Sequence, residues 1–154
     1  RQGKVPKKNN LEEIDKDLIL KIKCTPSVIG DFIDNYKFRF ALQACMDLAR
    51  FGNKYLADTE PWKLFKQPDQ KARTETILNL TIQITASLSI LCEPFMPFTA
   101  QKLKNMLNIK NPKWSSASDI DQISEGHLLN SPQLLFSRIE DEQIENQINK
   151  LKQL

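Results

Sequence analysis

The sequence has few of the residues that build catalytic and metal sites. Its 154 residues include one histidine, His127, and three cysteines, Cys24, Cys45 and Cys92, which lie far apart and show no CxxC spacing. A Ser-His-Asp triad would need that single histidine, and no nucleophile elbow lies near it. Dispersed cysteines in odd number indicate neither a disulfide framework nor a zinc site. We therefore predict no catalytic residue and no metal site, with the cysteines buried in a reduced, cytoplasmic protein.

Glycine and long apolar runs are also scarce. Only 4 glycines occur, which favours helices over a sheet. The charge-free stretch 76–92 contains Asn, Thr, Gln and Ser side chains that make it too polar for a bilayer, so no membrane span is predicted. Neither a GxxxxGK phosphate loop nor a signal peptide is present. The acidic run 140–142 is most simply the solvated first turn of a last helix, where negative charge suits the helix dipole.

The apolar residues that are present recur at spacings of three and four. In a chain with 40% hydrophobic and 27% charged residues, this spacing predicts an all-α bundle of five or six helices. Asn10 is the expected cap of the first helix, Thr25-Pro26 is the expected start of the second, and Lys104 is expected to face solvent. The predicted helices cover about 11–23, 26–35, 38–59, 69–91 and 97–107, and a last one follows an irregular stretch, 108–130, pinned by Trp114.

The longest predicted helix ends at a proline corner. Pro61 disfavours a helical conformation at Glu60, so the helix should stop just before it. Proline also suits the first position of a new helix, so Trp62 should lie in a short helix directly after a rigid corner. The face of the long helix that should point inward comprises Phe38, Leu42, Cys45, Ala49, Gly52 and Leu56.

The residues alone leave two interpretations of Trp62. In the first, the indole packs between two helices, as tryptophan often does. In the second, the ring is an exposed stacking platform for single-stranded RNA: bases stack on it, amide and guanidinium groups read base edges, and lysines contact phosphates. The net charge of +3 permits a nucleic-acid partner without requiring one. The polar groups expected around such a platform are Arg50, Asn53, Lys54, Lys63 and Lys66.

The same stretch resembles the anticodon-binding domain of the methionyl-tRNA synthetases, which are class I aminoacyl-tRNA synthetases. Residues 48–56, LARFGNKYL, followed by Pro61-Trp62, are similar to that family's helix and corner. Further similar elements are Gly3-Lys4-Val5-Pro6, the proline-rich junction 91–98, and Gly126-His127 followed by Leu135-Phe136-Ser137-Arg138-Ile139. The resemblance covers nearly the whole chain, and the blocks 53–62 and 126–139 are its most specific parts.

The resemblance implies a helical domain that binds the CAU anticodon loop of methionine tRNA. Trp62 would stack on an anticodon base, and Pro61 would shape the pocket for that base. Their positions on the polar face beside the corner add Asn53 and Arg50 to the site, although Asn53 is equally consistent with a structural role. Weak phosphate contacts are expected from Lys54, Lys63 and Lys66. The full enzyme would use ATP with Mg²⁺ to join methionine to its tRNA, whereas this chain would hold no cofactor.

The domain division follows from the same resemblance. Residues 1–10 are basic and include Gly and Pro, so they are predicted to be an arm from an upstream catalytic domain to a helical domain, 11–154. In the family, further anticodon-reading groups lie on a helix before the Gly3–Pro6 segment, so part of the reading surface is expected outside this chain. Two alternatives stay open: the anticodon domain of another class I synthetase, such as that for cysteine, valine, isoleucine or leucine, and a plain helical protein-interaction module.

Overall fold

Helices account for most of the structure. A computed structural model describes residues 3–152. In chain order the helices are α1 (Glu13–Asp34), α2 (Phe38–Thr59), α3 (Pro61–Leu64), α4 (Lys71–Leu91), α5 (Pro97–Leu107) and α6 (Asp141–Leu151), with 3-10 turns at Pro68–Gln70 and Trp114–Ser118. The described residues form no β-sheet, and an isolated antiparallel bridge pairs Lys4 with Leu128. The predicted all-α fold is confirmed. None of these helices has the length and apolar character that a membrane span needs.

Prolines set the start of several elements. Pro61 lies in the first turn of α3, Pro68 begins the first 3-10 turn, and Pro97 lies in the first turn of α5. A proline at this position loses nothing, because the N–H that it lacks has no partner within the helix. The predicted starts after the corner and at Pro97 are therefore confirmed.

One predicted break does not exist, because α1 continues through Pro26. An interior proline removes one helical hydrogen bond and crowds the preceding turn. The Thr25 hydroxyl donates to the carbonyl of Lys21 at 2.7 Å, and Thr25 and Pro26 are both buried. The same face of the helix stays buried on either side, at Ile22 and at Ile29. The prediction of a new helix at Pro26 was wrong because this burial outweighs the local cost of the proline.

The helix α4 lies at the centre of the molecule and contacts α1, α2, α3 and α5. Its charge-free sequence carries polar side chains with defined partners. The Gln83 amide donates to the carbonyl of Ile123, and the Ser87 hydroxyl donates to that of Ala117, both at 2.7 Å. These bonds hold the irregular stretch 108–130 on the bundle. The main apolar cluster comprises Leu18, Ile19, Ile22, Ile29, Ala41, Cys45, Leu48, Tyr55, Ile77, Leu80, Ile84, Ile90, Leu91, Cys92 and Ala117.

The residues before α1 are extended and lie along α4. Val5 is 2% exposed and belongs to a second apolar cluster with Ala86, Leu107 and Ile123. Its backbone N–H donates to the carbonyl of His127 at 2.9 Å. Residues 1 and 2 lie outside the described part of the chain. The rest of the predicted arm is thus packed onto the bundle, while its role as a connection to an upstream domain stays a prediction.

The cap of α1 is not Asn10. Glu12 caps the helix, and its backbone N–H donates to the Asp15 carboxylate at 2.8 Å in a capping box. The prediction failed because other parts of the fold fix Asp15. Tyr55 and Arg73, from two other helices, both donate to its carboxylate, which sets where the first turn begins.

The buried face of α2 is rotated slightly from the predicted one. Cys45 and Gly52 are buried as expected, but Phe38 and Leu42 are exposed, at 55% and 37%. The buried residues of the helix are Ala41, Cys45, Leu48, Gly52 and Tyr55. This rotation follows from the packing of α2 against both α1 and α4, which brings the polar tip of Tyr55 to the buried Asp15.

Lys104 and Cys24 also differ from expectation. Lys104 is 5% exposed, and its amine lies 2.6 Å from the Glu93 carboxylate. This ion pair joins α5 to the bend that precedes the helix. Cys24 is exposed, whereas Cys45 and Cys92 are buried free thiols with Sγ atoms 2.8 Å apart. Hydrophobic spacing could not indicate the lysine's position, because burial of an amine depends on a partner from another segment.

Candidate RNA-binding corner

The long helix α2 ends in a tight corner at Glu60. This residue has φ of 41° and ψ of 55°, a left-handed conformation that is uncommon outside glycine. Its N–H donates to the carbonyl of Leu56 at 3.0 Å, and its own carbonyl accepts from the N–H of Lys63 at 2.8 Å. Glu60 therefore closes α2 and opens α3 within one residue. The next two residues differ sharply in environment, since Pro61 is buried and Trp62 is exposed.

The indole of Trp62 is accessible from solvent. The residue is 54% exposed, whereas a tryptophan packed between two helices would be covered. It lines an apolar depression of about 370 Å³ together with Pro61, Phe65, Thr74 and Leu78. Thr74 and Leu78 come from α4, so the corner and the central helix form the two sides of this depression. The arrangement offers a flat aromatic ring and an adjoining apolar space, which suits a planar ligand.

A buried network fixes the corner to the bundle. The Tyr55 hydroxyl, on the last turns of α2, donates to the Asp15 carboxylate at 2.7 Å. The Arg73 guanidinium donates to both oxygens of that carboxylate, and its Nε lies 3.1 Å from the Glu12 carboxylate. Arg73 directly precedes Thr74, which lines the Trp62 depression. The network therefore joins the start of α1, the end of α2 and the start of α4, the three helix ends around the corner.

The network also shifts the acidities of its members. Burial by itself would raise the pKa of the Asp15 carboxyl, but hydrogen bonds from Arg73, from Tyr55 and from the Glu12 backbone hold that pKa below its ordinary value. Burial, together with the hydrogen bond to Asp15, raises the pKa of Tyr55. Near neutral pH the carboxylate is thus charged and the phenol keeps its proton, which is the combination that the hydrogen bonds require.

Arg50 and Asn53 lie on α2 before the corner. Asn53 lies about 9 Å along the helix axis from Thr59, the last residue of α2, at roughly 1.5 Å of rise per residue. Both side chains are exposed, and neither lines the depression at Trp62. The Arg50 guanidinium donates to Asp47 at 2.6 Å, and the Asn53 amide has no hydrogen bond to the residues that the structure describes.

The three lysines expected at the site are all exposed. Lys63 forms an ion pair with Glu60 at 2.7 Å. An exposed pair of this kind contributes only about 0–1 kcal/mol, so Lys63 can exchange its carboxylate for a phosphate at little cost. Lys54 lines a small depression with Asp17 and Asp58, which places acidic groups beside it.

Sequence reasoning missed Phe65, Thr74 and Leu78. Phe65 follows Trp62 by three residues, which puts the two side chains on neighbouring positions of a helical turn, and this spacing was the available signal. Thr74 and Leu78 carried no such signal, because their contact with the corner depends on how α4 packs. Among residues 3–152, no cluster of His, Cys, Asp and Glu side chains has the arrangement of a metal site.

The fold and the corner together define a helical bundle domain with an exposed aromatic side chain at its surface. Residues 5–153 match the family described as the anticodon binding domain of methionyl tRNA ligase. The chain belongs to this family.

Relatives and solved structures agree with the family. The methionine–tRNA ligase of Cytophaga hutchinsonii is 47% identical over 148 residues, covering 96% of this chain, and that of Phocaeicola vulgatus is 45% identical over 149 residues, covering 97%. This chain spans only 21% and 22% of those proteins' lengths. The crystal structure of apo Mycobacterium tuberculosis methionyl-tRNA synthetase superposes with a TM-score of 0.82 at 25% identity, covering 90% of this chain and 28% of that chain.

Proposed function

We propose that this chain supplies the tRNA-selecting part of a methionine–tRNA ligase and recognises the CAU anticodon loop of methionine tRNA. The observation that carries the proposal is the half-exposed indole of Trp62 beside an apolar depression at a rigid corner. Unstacked bases of a single-stranded loop bind to such rings, and stacking contributes about 1–3 kcal/mol per base. The names of the relatives support methionine tRNA as the partner.

Each residue of the site has a proposed task. Trp62 stacks on an anticodon base, and the buried ring of Pro61 fixes the angle at which the indole leaves the corner. Asn53 and Arg50 carry amide and guanidinium groups that suit base edges or the sugar-phosphate chain next to the platform. The proposed phosphate contacts are Lys54, Lys63 and Lys66.

The ligase reaction belongs to the longer protein. We expect a catalytic domain upstream in the same polypeptide, which binds ATP with Mg²⁺ and joins methionine to the tRNA in the cytoplasm. The contribution of this chain is then selective binding at a distance from the chemistry. Loss of the platform should therefore weaken the use of tRNA and leave amino-acid activation unchanged.

The test is Trp62→Ala in the full-length protein. We expect kcat/KM for methionine tRNA to fall about 5- to 150-fold, the equivalent of one stacked base, while ATP-dependent methionine activation stays within twofold. Phe40→Ala, at an exposed aromatic residue at the opposite end of α2, is the matched control and should change neither rate. Unchanged aminoacylation at limiting tRNA would refute the proposal.

A binding comparison tests the anticodon. In a Trp114→Phe background Trp62 is the only tryptophan of this chain, so its fluorescence in the isolated chain reports on the corner. A stem-loop with CAU should quench the emission more strongly than stem-loops with cysteine, valine, isoleucine or leucine anticodons. Equal quenching by all of them would contradict selection of CAU by this chain alone, and a full-length protein that binds none of the stem-loops would favour a protein-interaction module.

A further inference from the structure

Phe65 forms a wall shared by two neighbouring depressions. One is the depression of about 370 Å³ that contains Trp62. The other, of about 240 Å³, is lined by Phe65, Gln67, Pro68, Lys71 and Thr74. Phe65 and Thr74 line both, so the two spaces adjoin along one aromatic ring, and the binding surface continues beyond Trp62 towards the start of α4.

The backbone holds Phe65 beside Trp62. Phe65 is the C-cap residue of α3, with φ of −56° and ψ of −25°, so the two residues stand at i and i+3 on one helical turn. Side chains at this spacing are neighbours, about 5–6 Å apart at their Cβ atoms. Phe65 is 62% exposed, more than Trp62 itself. Two aromatic side chains are thereby presented side by side from one short, anchored helix.

The second depression carries the polar groups that an RNA nucleotide needs. Gln67 presents an amide, which can donate to and accept from a base edge. Lys71 occupies the first turn of α4, where its ammonium group and the positive end of the helix dipole both favour a phosphate. The carboxylate of Glu75 lies 4.0 Å from the Lys71 amine, a loose pair that leaves the amine within reach of another anion.

We propose that Phe65 is a second stacking platform, which binds the nucleotide next to the one on Trp62, with Gln67 at its base edge and Lys71 at its phosphate. The inference rests on the proposed function, because it requires a single-stranded loop at Trp62. Successive bases stack on successive aromatic side chains in single-stranded nucleic-acid sites. Because a phenyl ring accepts any base, the second position is selected mainly through the Gln67 amide.

The test combines protein variants with missing bases. Trp62→Leu and Phe65→Leu are made in the full-length protein, and the affinity for the methionine anticodon stem-loop is measured with an abasic nucleotide at each loop position in turn. With the intact loop, each variant should bind about 5- to 150-fold more weakly. The Trp62→Leu effect should vanish when one base is absent, and the Phe65→Leu effect should vanish when a neighbouring base is absent.

Three results would separate the two proposals. Phe65→Leu without effect, or coupled to the same base as Trp62→Leu, would overturn the second platform, because Phe65 would then only shape the first. Trp62→Leu without coupling to any base would overturn the proposed function itself. Phe40→Leu is the control for an exposed phenylalanine, and it should bind every stem-loop like the wild type. Leucine keeps an apolar side chain at each site, and equal melting temperatures confirm that all variants are folded.

Discussion

The hydroxyl of Tyr55 donates to a carboxylate that is fully buried, so one oxygen atom affects the stability of the protein. Tyr55→Phe removes this donor, while the Asp15 carboxylate keeps Arg73 and the backbone of Glu12. We expect the free energy of unfolding to fall by about 1.5–3 kcal/mol, the range for hydrogen bonds to charged groups. Urea denaturation measures the change. Tyr36→Phe, at a tyrosine that is 83% exposed, should stay within about 0.5 kcal/mol, and equal losses in both variants would contradict the network's role.

The lowered pKa of the Asp15 carboxyl also predicts how the stability of the protein depends on pH. Its pKa in the folded protein lies below the ordinary value of 3.8, so its stabilising contribution is present above that ordinary pKa. The contribution is lost as the pH falls through the lower, folded-state pKa, because the unfolded chain takes up the proton first. The free energy of unfolding should therefore fall more steeply below about pH 4 for the wild type than for Asp15→Asn.

Denaturation at several pH values between neutrality and about pH 2 checks this prediction. Asp17→Asn, at an exposed aspartate on the same helix turn, is the matched control for the substitution. A curve for Asp15→Asn that runs parallel to that of the wild type would mean that the carboxyl of Asp15 has the same pKa in the folded and unfolded chains.

Single residues show what the sequence could predict about the site. The proline corner at Pro61 was predictable, since proline restricts the backbone in a known way. The residues alone left open whether Trp62 is packed or exposed, and the resemblance to a known family implied the exposed ring. Thr74 and Leu78 were not accessible, because α4 has apolar residues on several faces and its rotation is decided by packing. Lys104 shows the same limit, since its buried amine depends on a carboxylate from the bend before α5.

At the scale of helices, α1 shows why local rules fail. Threonine followed by proline usually starts a helix, yet Thr25-Pro26 lies inside one. The helix face that packs on α2 and α4 continues past the proline, and burial of several large side chains exceeds the cost of about 3 kcal/mol for an interior proline. At Pro61 and Pro97 the local rule holds, because each proline lies in the first turn of a helix.

The bend between α4 and α5 depends on an ion pair with unequal partners. Lys104 is 5% exposed, whereas the side chain of Glu93 is about half exposed. Glu93→Gln leaves a buried ammonium without its carboxylate, which should cost about 1–3 kcal/mol. Lys104→Met replaces the buried amine with an apolar side chain of similar length and should be close to neutral. We therefore expect Lys104→Met, which removes the buried charge, to be more stable than Glu93→Gln, which leaves that charge without a partner.

Thermal and urea unfolding of both variants test this order. Glu13→Gln, which breaks the exposed pair with Lys16, controls for the loss of a surface carboxylate and should leave the free energy of unfolding close to that of the wild type. A larger loss for Lys104→Met than for Glu93→Gln would show that the pair itself, and not the isolated charge, governs the stability of the bend.

At the scale of the whole molecule, the two ends of the chain contribute differently to the fold. The residues before α1 are tied to the bundle at several points: Asn79 donates to the carbonyl of Pro6 at 2.8 Å, and the N–H of Asn9 donates to Thr76 at 2.9 Å. By contrast, no residue between 131 and 152 is buried. The last helix has an apolar stripe, as the sequence predicted, but spacing alone could not show that the stripe stays exposed.

This difference between the two ends predicts that a small substitution before α1 lowers the stability of the protein, whereas removal of the whole last segment hardly changes it. Val5→Ala should lower the free energy of unfolding by about 1.5–3 kcal/mol, because it empties space between Ala86, Leu107 and Ile123. Removal of residues 131–154 should change it by less than about 1 kcal/mol and leave the urea m value unaltered, since m scales with the surface that unfolding exposes. Val28→Ala, at a valine that is 44% exposed, controls for the substitution. A fall in m after truncation would show that the last helix covers part of the bundle in solution, and the stable unit would then extend to the end of the chain.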